Sequence, residues 1–425
     1  MSENQPTMKK ADSAPAPDQS AVPQILRPRG SNHVGMRQFN ERVVLQAVRL
    51  HASVPKAELA RLTGLSAQTI GLITTRLEDD GLLLRCAPVR GRIGQPSVPL
   101  ALNPDGAFAL GIKLGRRSTD CLLVDFTGQV RQRETVAYDF PDAASLLPTI
   151  AARMKAIEAG MGELAARLVG VGVAAPFNLG GWHKMLGLSE ATSDQWNRID
   201  LAAEVQAMTS TPVSFAKDTQ AACVAELVAG RGRDLKSFLY LIVDTIVGGG
   251  MVINSHLHGG VHGNAGAVAS LPLHLAPERA GGQPAAAPEQ LIGHASLWEL
   301  EQRFIAAGLE PTAAYDDRAT SAPYLEHTAL WIGKAARGLA QCVVSGTAFL
   351  DLDAVVIDGS FSRTMLSRLI AQTTAALERY NWEGLWRTRL IAGDIGSDAR
   401  ALGGALLPLH ENFAPDQGLF LKALA

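Results

Sequence analysis

The sequence predicts an α/β protein in which a small winged helix-turn-helix domain precedes a two-lobed α/β body. Between residues 37 and 88, three helical patterns are joined by short turns and followed by a basic hairpin. Farther along, strands and helices alternate, and one strand–turn–strand pattern occurs twice. We therefore expect a disordered tail over residues 1–36, the winged domain over 37–103 and the body over 104–425.

The 425-residue chain has an ordinary globular composition, with 47% hydrophobic residues and a net charge of −2. This length suffices for two or three domains with cores of their own. The four cysteines lie far apart without metal-binding spacing, so neither a disulfide framework nor a zinc cluster is indicated. The N-terminal residues are polar and rich in Pro and Ala instead of basic and then apolar, and no apolar run approaches about 18 residues, so we expect a cytoplasmic protein without membrane contact.

The first 36 residues contain several prolines and few large apolar side chains, which predicts disorder. The segment that follows is basic. Between Arg37 and Arg92, nine basic residues stand against five acidic ones, a net charge of +4 in a chain that is acidic overall. A basic segment joined to an acidic body indicates a polyanionic partner for that segment alone.

The basic segment has the pattern of a helix-turn-helix. The spacing of apolar residues from Phe39 onward predicts a first helix, and "PKAELARLTGLSAQTIGLITTRLEDD" predicts helices over about 55–62 and 66–79, the last with Ser66 as its N-cap. In a helix-turn-helix, the second of these two helices enters the major groove of DNA with its first residues on base edges. A helical hairpin that serves only packing is the alternative.

The candidate DNA-contacting residues lie on the third helix and in the hairpin behind it. Gln68 is the best base reader, because its amide can bond bidentately to adenine. "LLLRCAPVRGRIGQPSVPLALN" predicts two strands around a tip whose arginines can follow phosphates or a narrow minor groove. This basic wing favours DNA binding over packing alone. The candidates are Ser66, Gln68, Thr69, Thr74, Arg76, Arg90 and Arg92.

The body carries one hairpin pattern twice. "GAFALGIKLGRRSTDCLLVDFTGQV" predicts a strand, a tight turn and a returning strand, and "SFLYLIVDTIVGGGMVINSHLHGG" repeats that plan. Two such hairpins, each followed by helices, predict an internally duplicated domain with a cleft between its lobes. "LAPERAGGQPAAAPEQ" is predicted to be a surface loop.

Lys217 and Asp218 stand at a strand-to-helix junction within "SFAKDTQAACVAELVAG". A carboxylate in the first helical turn can cap free N–H groups and is favoured by the helix dipole. Such junctions also face ligand crevices in α/β domains. The stretch by itself leaves both interpretations open, a helix cap and a ligand site.

Taken together, these motifs resemble the ROK family, which contains bacterial sugar-responsive repressors and sugar kinases. The resemblance covers about residues 37–410 and implies an actin-like and hexokinase-like fold, a duplicated ribonuclease H-like unit. "KAELARLTGLSAQTIGLITTRLEDDGLL" is similar to the repressors' helix-turn-helix, and "GRIGQPSVPLALNP" to their linker. In the body, "VGVAAPFN" resembles the interdomain loop, "KDTQAACVAE" the catalytic-Asp loop, "GNAGAVAS" the sugar and zinc loop, "AVVIDGSFSR" a second-lobe strand, and "GSDARALGGALLPL" the final helix near the nucleotide site.

The body departs from the kinases of this family at the residues that hold phosphate, metal and sugar. Lys113 and the following "GRRS" replace an Asp and Gly-Gly-Thr, and "DTIVGGG" from Asp244 replaces the second phosphate loop. Lys217 stands in place of a sugar-contacting Asn, Ala267 of a sugar-binding Glu, and Ser270 of a zinc- and sugar-binding His. The cysteines of the zinc site are missing. We therefore expect no kinase activity, no catalytic residue, no cofactor and no metal.

The resemblance places Asp218 where the kinases have their general base. We expect Asp218 to bind ligand, with Lys217 or Lys113 balancing its charge, and a capping role stays open because one residue can do both. The altered sugar contacts imply a modified or acidic sugar, or another small metabolite. The candidate effector-binding residues are Lys113, Lys217, Asp218, His262, Asn264 and Ser270.

The resemblance implies a transcriptional regulator, a repressor of genes for carbohydrate uptake or catabolism. Its expected partners are double-stranded operator DNA and a sugar or sugar-derived effector, and we expect a nucleoid-associated homodimer or homotetramer. One alternative is an ATP-dependent sugar kinase with an accessory DNA-binding module. Another is a constitutive DNA-binding protein whose cleft binds nothing and serves only dimerisation.

Overall fold

The structure, a computed structural model, describes residues 33–89, 97–176, 190–273 and 288–415. A small N-terminal domain precedes a body that is built on two five-stranded sheets. None of the helices in these four ranges combines the length and the apolar character that crossing a membrane requires.

The N-terminal domain has the predicted winged helix-turn-helix arrangement. Strands β2 and β3 pair antiparallel as the two sides of the wing. Arg90 and Arg92, which stand between these strands in the sequence, lie outside the described residues. The first helix begins at His33, so the predicted boundary at residue 37 falls inside it. The elements are α1 (His33–His51), β1 (Val54–Pro55), α2 (Lys56–Thr63), α3 (Ala67–Asp79), β2 (Leu83–Arg85) and β3 (Pro99–Leu102).

The tight turn between α2 and α3 follows from its residues. Gly64 ends α2 in the left-handed conformation, with φ of 70°, and its N–H donates to the Ala60 carbonyl at 3.0 Å. Glycine adopts this conformation without the steric cost of a Cβ. Ser66 is the N-cap of α3, since its Oγ accepts a hydrogen bond from the Thr69 N–H at 3.2 Å.

The first lobe of the body has a sheet in the order β6-β5-β4-β7-β8. Its first three strands are antiparallel neighbours, and β7 and β8 continue the sheet in parallel with β4. The strands are β4 (Phe108–Leu114), β5 (Ser118–Asp125), β6 (Val130–Ala137), β7 (Leu168–Ala175) and β8 (Val213–Lys217), and the helices are α4 (Ala143–Met161), α5 (Glu190–Asn197) and α6 (Leu201–Met208).

The second lobe repeats this plan with the sheet order β11-β10-β9-β12-β13. Three antiparallel neighbours are again followed by two parallel strands, which confirms the predicted duplication. The strands are β9 (Phe238–Val243), β10 (Gly248–Ile253), β11 (His256–Leu257), β12 (Ala354–Gly359) and β13 (Arg389–Ala392). The helices are α8 (Ile292–Ala295), α9 (Leu297–Ala306), α10 (Leu325–Leu350) and α11 (Arg363–Leu377).

Two helices cross between the lobes, α7 (Asp218–Ala229) and α12 (Ala399–Phe413). Helix α7 leaves the last strand of the first lobe and packs on β10 of the second, whereas α12 leaves the second lobe and packs on β4 and β7. The two helices pack closely against each other because their contact is built of small residues. A side chain at Gly403 would collide with the Ala221 carbonyl. Each crossing helix therefore ties one lobe to the other.

One hydrophobic core joins the N-terminal domain to the first lobe. Val44 and Val48 of α1 belong to the same buried cluster as Phe126, which follows β5, and Leu406 and Leu409 of α12. A shared core of this kind resists independent movement of the two parts, because sliding would expose apolar surface. The crossing helix α12 thus touches the cleft region at one end and the N-terminal domain at the other.

Candidate DNA-binding surface and interlobe cleft

Helix α3 presents an exposed face made of Gln68, Leu72 and Thr75. These positions are spaced by four and three residues, which places them on one side of a helix. Leu72 is 65% exposed, and an apolar side chain here can contact a thymine methyl group. Sequence reasoning missed Leu72 and Thr75, although the helical period counted forward from Gln68 points to both.

The prediction that Thr74 contacts DNA is wrong. Its side chain is fully buried, and its Oγ1 donates to the Ile70 carbonyl at 2.8 Å. Helical periodicity turns Thr74 toward the core with Ile70 and Leu77. The side chain of Arg76 is exposed and pairs with Glu41 of α1.

The remaining candidates on α3 lie at its exposed start. The hydroxyls of Ser66 and Thr69 are 2.9 Å apart and form a hydrogen bond, while Gln68 between them points to solvent. The domain thus offers the first turn of α3 as a free surface, which is the part of a recognition helix that reaches base edges.

Arg400, in the first turn of α12, is the centre of a buried charge cluster between the lobes. Its Nη1 lies 3.6 Å from Oδ2 of Asp218, the first residue of α7, and its Nη2 contacts Oδ2 of Asp244, which follows β9. The same Asp244 oxygen accepts a hydrogen bond from Ser360 Oγ at 2.6 Å. The cation from the last helix therefore links the two carboxylates that face the cleft.

The electrostatics of this cluster favour the ionised forms. Burial raises the pKa of Asp244. The charge of Arg400 and the hydrogen bond from Ser360 together lower it by more, so the pKa lies below its usual value. Burial lowers the pKa of Arg400, and Asp244 and Asp218 more than restore it, so it lies above its usual value. The cluster is a set of mutually compensating charges.

Asp218 makes one contact inside its own helix and one with Arg400, and its role as a ligand site stays a prediction. Its Oδ1 accepts a hydrogen bond from the Thr219 N–H at 2.8 Å, which satisfies one N–H group of the first helical turn, and its Oδ2 faces Arg400. The paired cation is thus Arg400 in place of the expected Lys217 or Lys113. The available signal was the position of Arg400, because a cation in the first turn of a helix opposes the helix dipole and needs another partner.

Lys113, a predicted effector-binding residue, lies on β4 beside this cluster. Its Nζ donates to Ser118 Oγ at 2.9 Å and to Asp120 Oδ2 at 3.2 Å. Burial and the nearby charge of Arg400 lower the pKa of Lys113. The lysine is therefore held inside the first lobe by its own hairpin.

The hairpin turn after Lys113 bridges the cleft. Arg116 and Arg117 form ion pairs with the buried Glu301 of α9, at 3.6 and 3.1 Å. The guanidinium of Arg117 also lies 5.8 Å from the centroid of the Tyr315 ring in the second lobe. This turn is the place where the resemblance puts the first phosphate loop of the kinases, and in this chain it is occupied by contacts between the lobes.

The other predicted effector residues lie around the loop "GNAGAVAS". The structure brings Lys217 and Asn264 together, with Nζ donating to Oδ1 at 3.1 Å. Gln220 of α7 holds the same loop by hydrogen bonds to the carbonyls of Gly259 and Ala265, both at 3.3 Å. The remaining two candidates, His262 and Ser270, are exposed.

Burial lowers the pKa of Lys217, whereas the charge of Asp218 acts in the opposite direction. Lys217, Asp218 and Asn264 lie near one another between the lobes, and their binding of an effector stays a prediction. In the part of the chain that the structure describes, no three His, Cys, Asp or Glu residues are grouped as metal ligands.

Comparison with known proteins identifies relatives of this chain. The profile of the "ROK family" matches residues 109–411. The xylose repressor of Bacillus spizizenii is 22% identical over 272 residues, which make up 62% of this chain and 66% of the repressor.

Two solved structures have the same fold. A ROK family transcriptional regulator, described as a homolog of the E. coli MLC protein, matches with a TM-score of 0.64 and 18% identity, over 89% of this chain and 98% of its own. The ROK hexokinase from Thermus thermophilus matches with a TM-score of 0.53 and 23% identity, over 70% of this chain and 97% of its own. The match with the regulator therefore covers a larger fraction of this chain than the match with the hexokinase.

Proposed function

This chain belongs to the ROK family, and from that membership we propose that it is a DNA-binding transcriptional regulator. The proposal names a repressor of carbohydrate uptake or catabolism genes that responds to a sugar or sugar-derived effector in the cleft. The similarity to a xylose repressor and to a solved regulator of the family supports this direction. The winged domain with its exposed Gln68 face supplies the DNA-binding element.

The observation that supports the proposal most strongly is that α12 contacts the cleft at its first residues and the DNA-binding domain at its last residues. Arg400 at its start binds the cleft carboxylates, and Phe413 at its end packs edge-on against Phe126, with ring centroids 4.8 Å apart. Arg49 of α1 lies over the same Phe126 ring, at 5.2 Å from its centroid. A single helix therefore runs from the cleft to the DNA-binding domain.

We infer a mechanism from this connection. A ligand that competes for Asp218 removes one partner of Arg400, and any resulting shift of α12 moves α1 with it because both share one core. In a dimer, that movement changes the spacing of the two recognition helices on the half-sites of a pseudo-palindromic operator. DNA affinity then depends on whether the cleft is occupied.

The chemistry of the cleft edge suggests the class of effector. Asp218 and Asn264 suit the hydroxyl groups of a sugar, and Lys217 suits a carboxylate or another anionic substituent. A sugar acid or a modified sugar fits this combination better than an uncharged hydrocarbon-like ligand.

The second candidate function is an ATP-dependent sugar kinase with an accessory DNA-binding module. The fold shared with a hexokinase and the position of Asp218 favour it. Against it stand the cation of Arg400 on Asp218 and the ion pairs of Arg116 and Arg117 where phosphate would bind. ATP turnover with a panel of sugars, abolished by Asp218→Asn, would establish the kinase.

The proposal is tested by selecting binding sites for the purified protein from random duplex DNA at near-physiological salt. We expect enrichment of an inverted repeat, and Gln68→Ala should relax the base preference at one position of each half-site by about 1–3 kcal/mol. Arg90→Ala and Arg92→Ala should instead weaken binding to all sequences and flatten its salt dependence. Failure of the folded wild-type protein to enrich any sequence, with or without candidate sugars, would count against a regulator.

A further inference from the structure

A cavity of about 600 Å³ lies where the N-terminal domain meets both lobes. Its walls are the C-terminal part of α1, the ends of α7 and α12, and the turn between β10 and β11. Neither Asp218 nor Arg400 lines it, so it is separate from the interlobe cleft. Its volume is in the range of pockets that hold small metabolites.

Five of the eight polar side chains that line this cavity are basic residue types, and three of them are Arg or Lys. No carboxylate occurs among its described lining residues. Two nearby carboxylates have other partners: Asp125 accepts from Arg131 at 2.6 Å, and Asp353 from the backbone N–H groups of Lys236 and Ser237, both at 2.9 Å. The basic lining residues are Arg49, Arg233, Lys236, His256 and His410.

Helix dipoles offset only part of this charge. Three helix C-termini, those of α1, α7 and α12, approach the cavity, and each carries about half a negative charge. Together they compensate about half of the charge of Arg49, Arg233 and Lys236. The cavity therefore keeps a positive potential, which its concave low-dielectric walls concentrate.

Two of the cations are held close together. Arg233 Nη2 donates to the carbonyls of Leu50 and Arg49, at 3.0 and 3.3 Å, which fixes it at the end of α1. Burial and the adjacent charge of Arg233 lower the pKa of Arg49 to about 10. Like charges in this arrangement repel each other, and an anion between them would relieve that repulsion.

His256 adds an imidazole ring to the lining of the cavity. Its Nδ1 lies 2.7 Å from the Asn254 carbonyl, and its Nε2 lies 2.6 Å from the Pro415 carbonyl. These two contacts fix the imidazole ring at the wall of the cavity.

We propose that this cavity is a second ligand site, which binds a small polyanionic metabolite carrying phosphate or carboxylate groups on a polar body. Guanidinium groups bind both kinds of oxyanion through charge-assisted hydrogen bonds. A ligand here touches α1, α7 and α12 together. It therefore acts on the contact between the DNA-binding domain and the body without entering the cleft.

Calorimetric titration of the full-length protein tests the site. The probes are inorganic phosphate, glucose 6-phosphate and citrate, with uncharged glucose as the comparison. We expect glucose 6-phosphate or citrate to bind, and Lys236→Glu and Arg233→Gln each to weaken binding about tenfold. The matched charge reversal Lys155→Glu, on the exposed face of α4, should leave the affinity unchanged.

The comparison of probes identifies the chemistry. Tighter binding of glucose 6-phosphate assigns the site to phosphate esters, and tighter binding of citrate assigns it to polycarboxylates. Asp218→Asn separates the two sites, since a cavity ligand keeps its affinity in that variant and a cleft ligand loses it. Lys236 is exposed and its side chain lies outside the core, so Lys236→Glu is expected to fold.

Three results would overturn the proposal. They are no binding of any anion at millimolar concentration, equal losses in Lys236→Glu and Lys155→Glu, or binding that Asp218→Asn abolishes while Lys236→Glu retains it. If no small anion binds and Lys236→Glu weakens operator binding, the basic surface contacts DNA phosphates instead. The proposed regulator function does not depend on this site, because its test uses DNA selection and Gln68.

Discussion

The Arg400 guanidinium lies 3.6 Å from Oδ2 of Asp218, the carboxylate that the resemblance places at the kinases' general base. The same guanidinium contacts Asp244, so one cation from the last helix bridges the two carboxylates. A carboxylate paired in this way is a poor base for a substrate hydroxyl until Arg400 leaves. The pair thus suits a ligand-displaced contact better than a permanent catalytic one.

Replacing Arg400 by Met should destabilise the protein by about 3–5 kcal/mol, because Asp244 and Asp218 would remain buried without their cation. Urea unfolding followed by circular dichroism measures the change. Arg387→Met is the matched control: Arg387 pairs with Glu378 in an exposed position, and its loss should change stability by less than about 1 kcal/mol. Equal effects of the two substitutions would show that the Arg400 cluster is energetically neutral.

The lowered pKa of Asp244 gives the stability a defined pH dependence. The unfolded carboxyl has a pKa of about 3.9, so the stabilisation from Asp244 is complete above that pH and is lost as the pH falls through the lower folded pKa. We expect Asp244→Asn to be less stable than the wild type at neutral pH and to lose less stability on acidification. Unfolding measured at several acidic pH values gives the stability of each protein as a function of pH. If the stability of the two proteins falls equally with pH, the expectation is contradicted.

The ion pairs of Glu301 should hold the turn at residues 115–118 against the second lobe. Glu301→Gln removes the charge that Arg116 and Arg117 share, so amide hydrogen exchange in this turn should become faster. Glu299→Gln on the same helix is the control, since Glu299 pairs with Arg303 and Lys334 inside the second lobe. An unchanged exchange rate at the turn in Glu301→Gln would show that the bridge does not restrain it.

Thr74 and Gln68 should separate stability from base recognition on α3. Thr74→Val leaves the Ile70 carbonyl without its additional donor, so stability should fall by about 1 kcal/mol while base preference stays as in the wild type. Gln68→Ala should do the reverse. Thermal unfolding and DNA site selection on both variants check this, and a changed base preference in Thr74→Val would place that residue at the groove after all.

Local patterns predicted much of the fold. The winged domain followed from the Gly64 turn and the Ser66 cap, and the duplication followed from two hairpins with matching strand patterns. These features depend on near neighbours in sequence, which is where periodicity and capping rules apply.

The charge cluster at the centre of the cleft could not be predicted by such rules. Asp218, Asp244 and Arg400 lie far apart in the chain and meet only because α7 and α12 cross between the lobes. The prediction for Thr74 was wrong because it relied on the polar character of threonine. The position of Thr74 on the buried face of α3 was not taken into account. The cavity at the domain junction depends on packing among α1, α7 and α12, which no single segment indicates.

The most direct measurement of the central claim is the operator affinity of Arg400→Met and Asp244→Asn, compared with Arg387→Met, under conditions where circular dichroism shows all three folded. If the cleft controls the DNA-binding domain through α12, breaking the Arg400 cluster should mimic the effector and weaken operator binding about tenfold, while the control binds like the wild type. Wild-type affinity in both cluster variants would contradict control of DNA binding from the cleft.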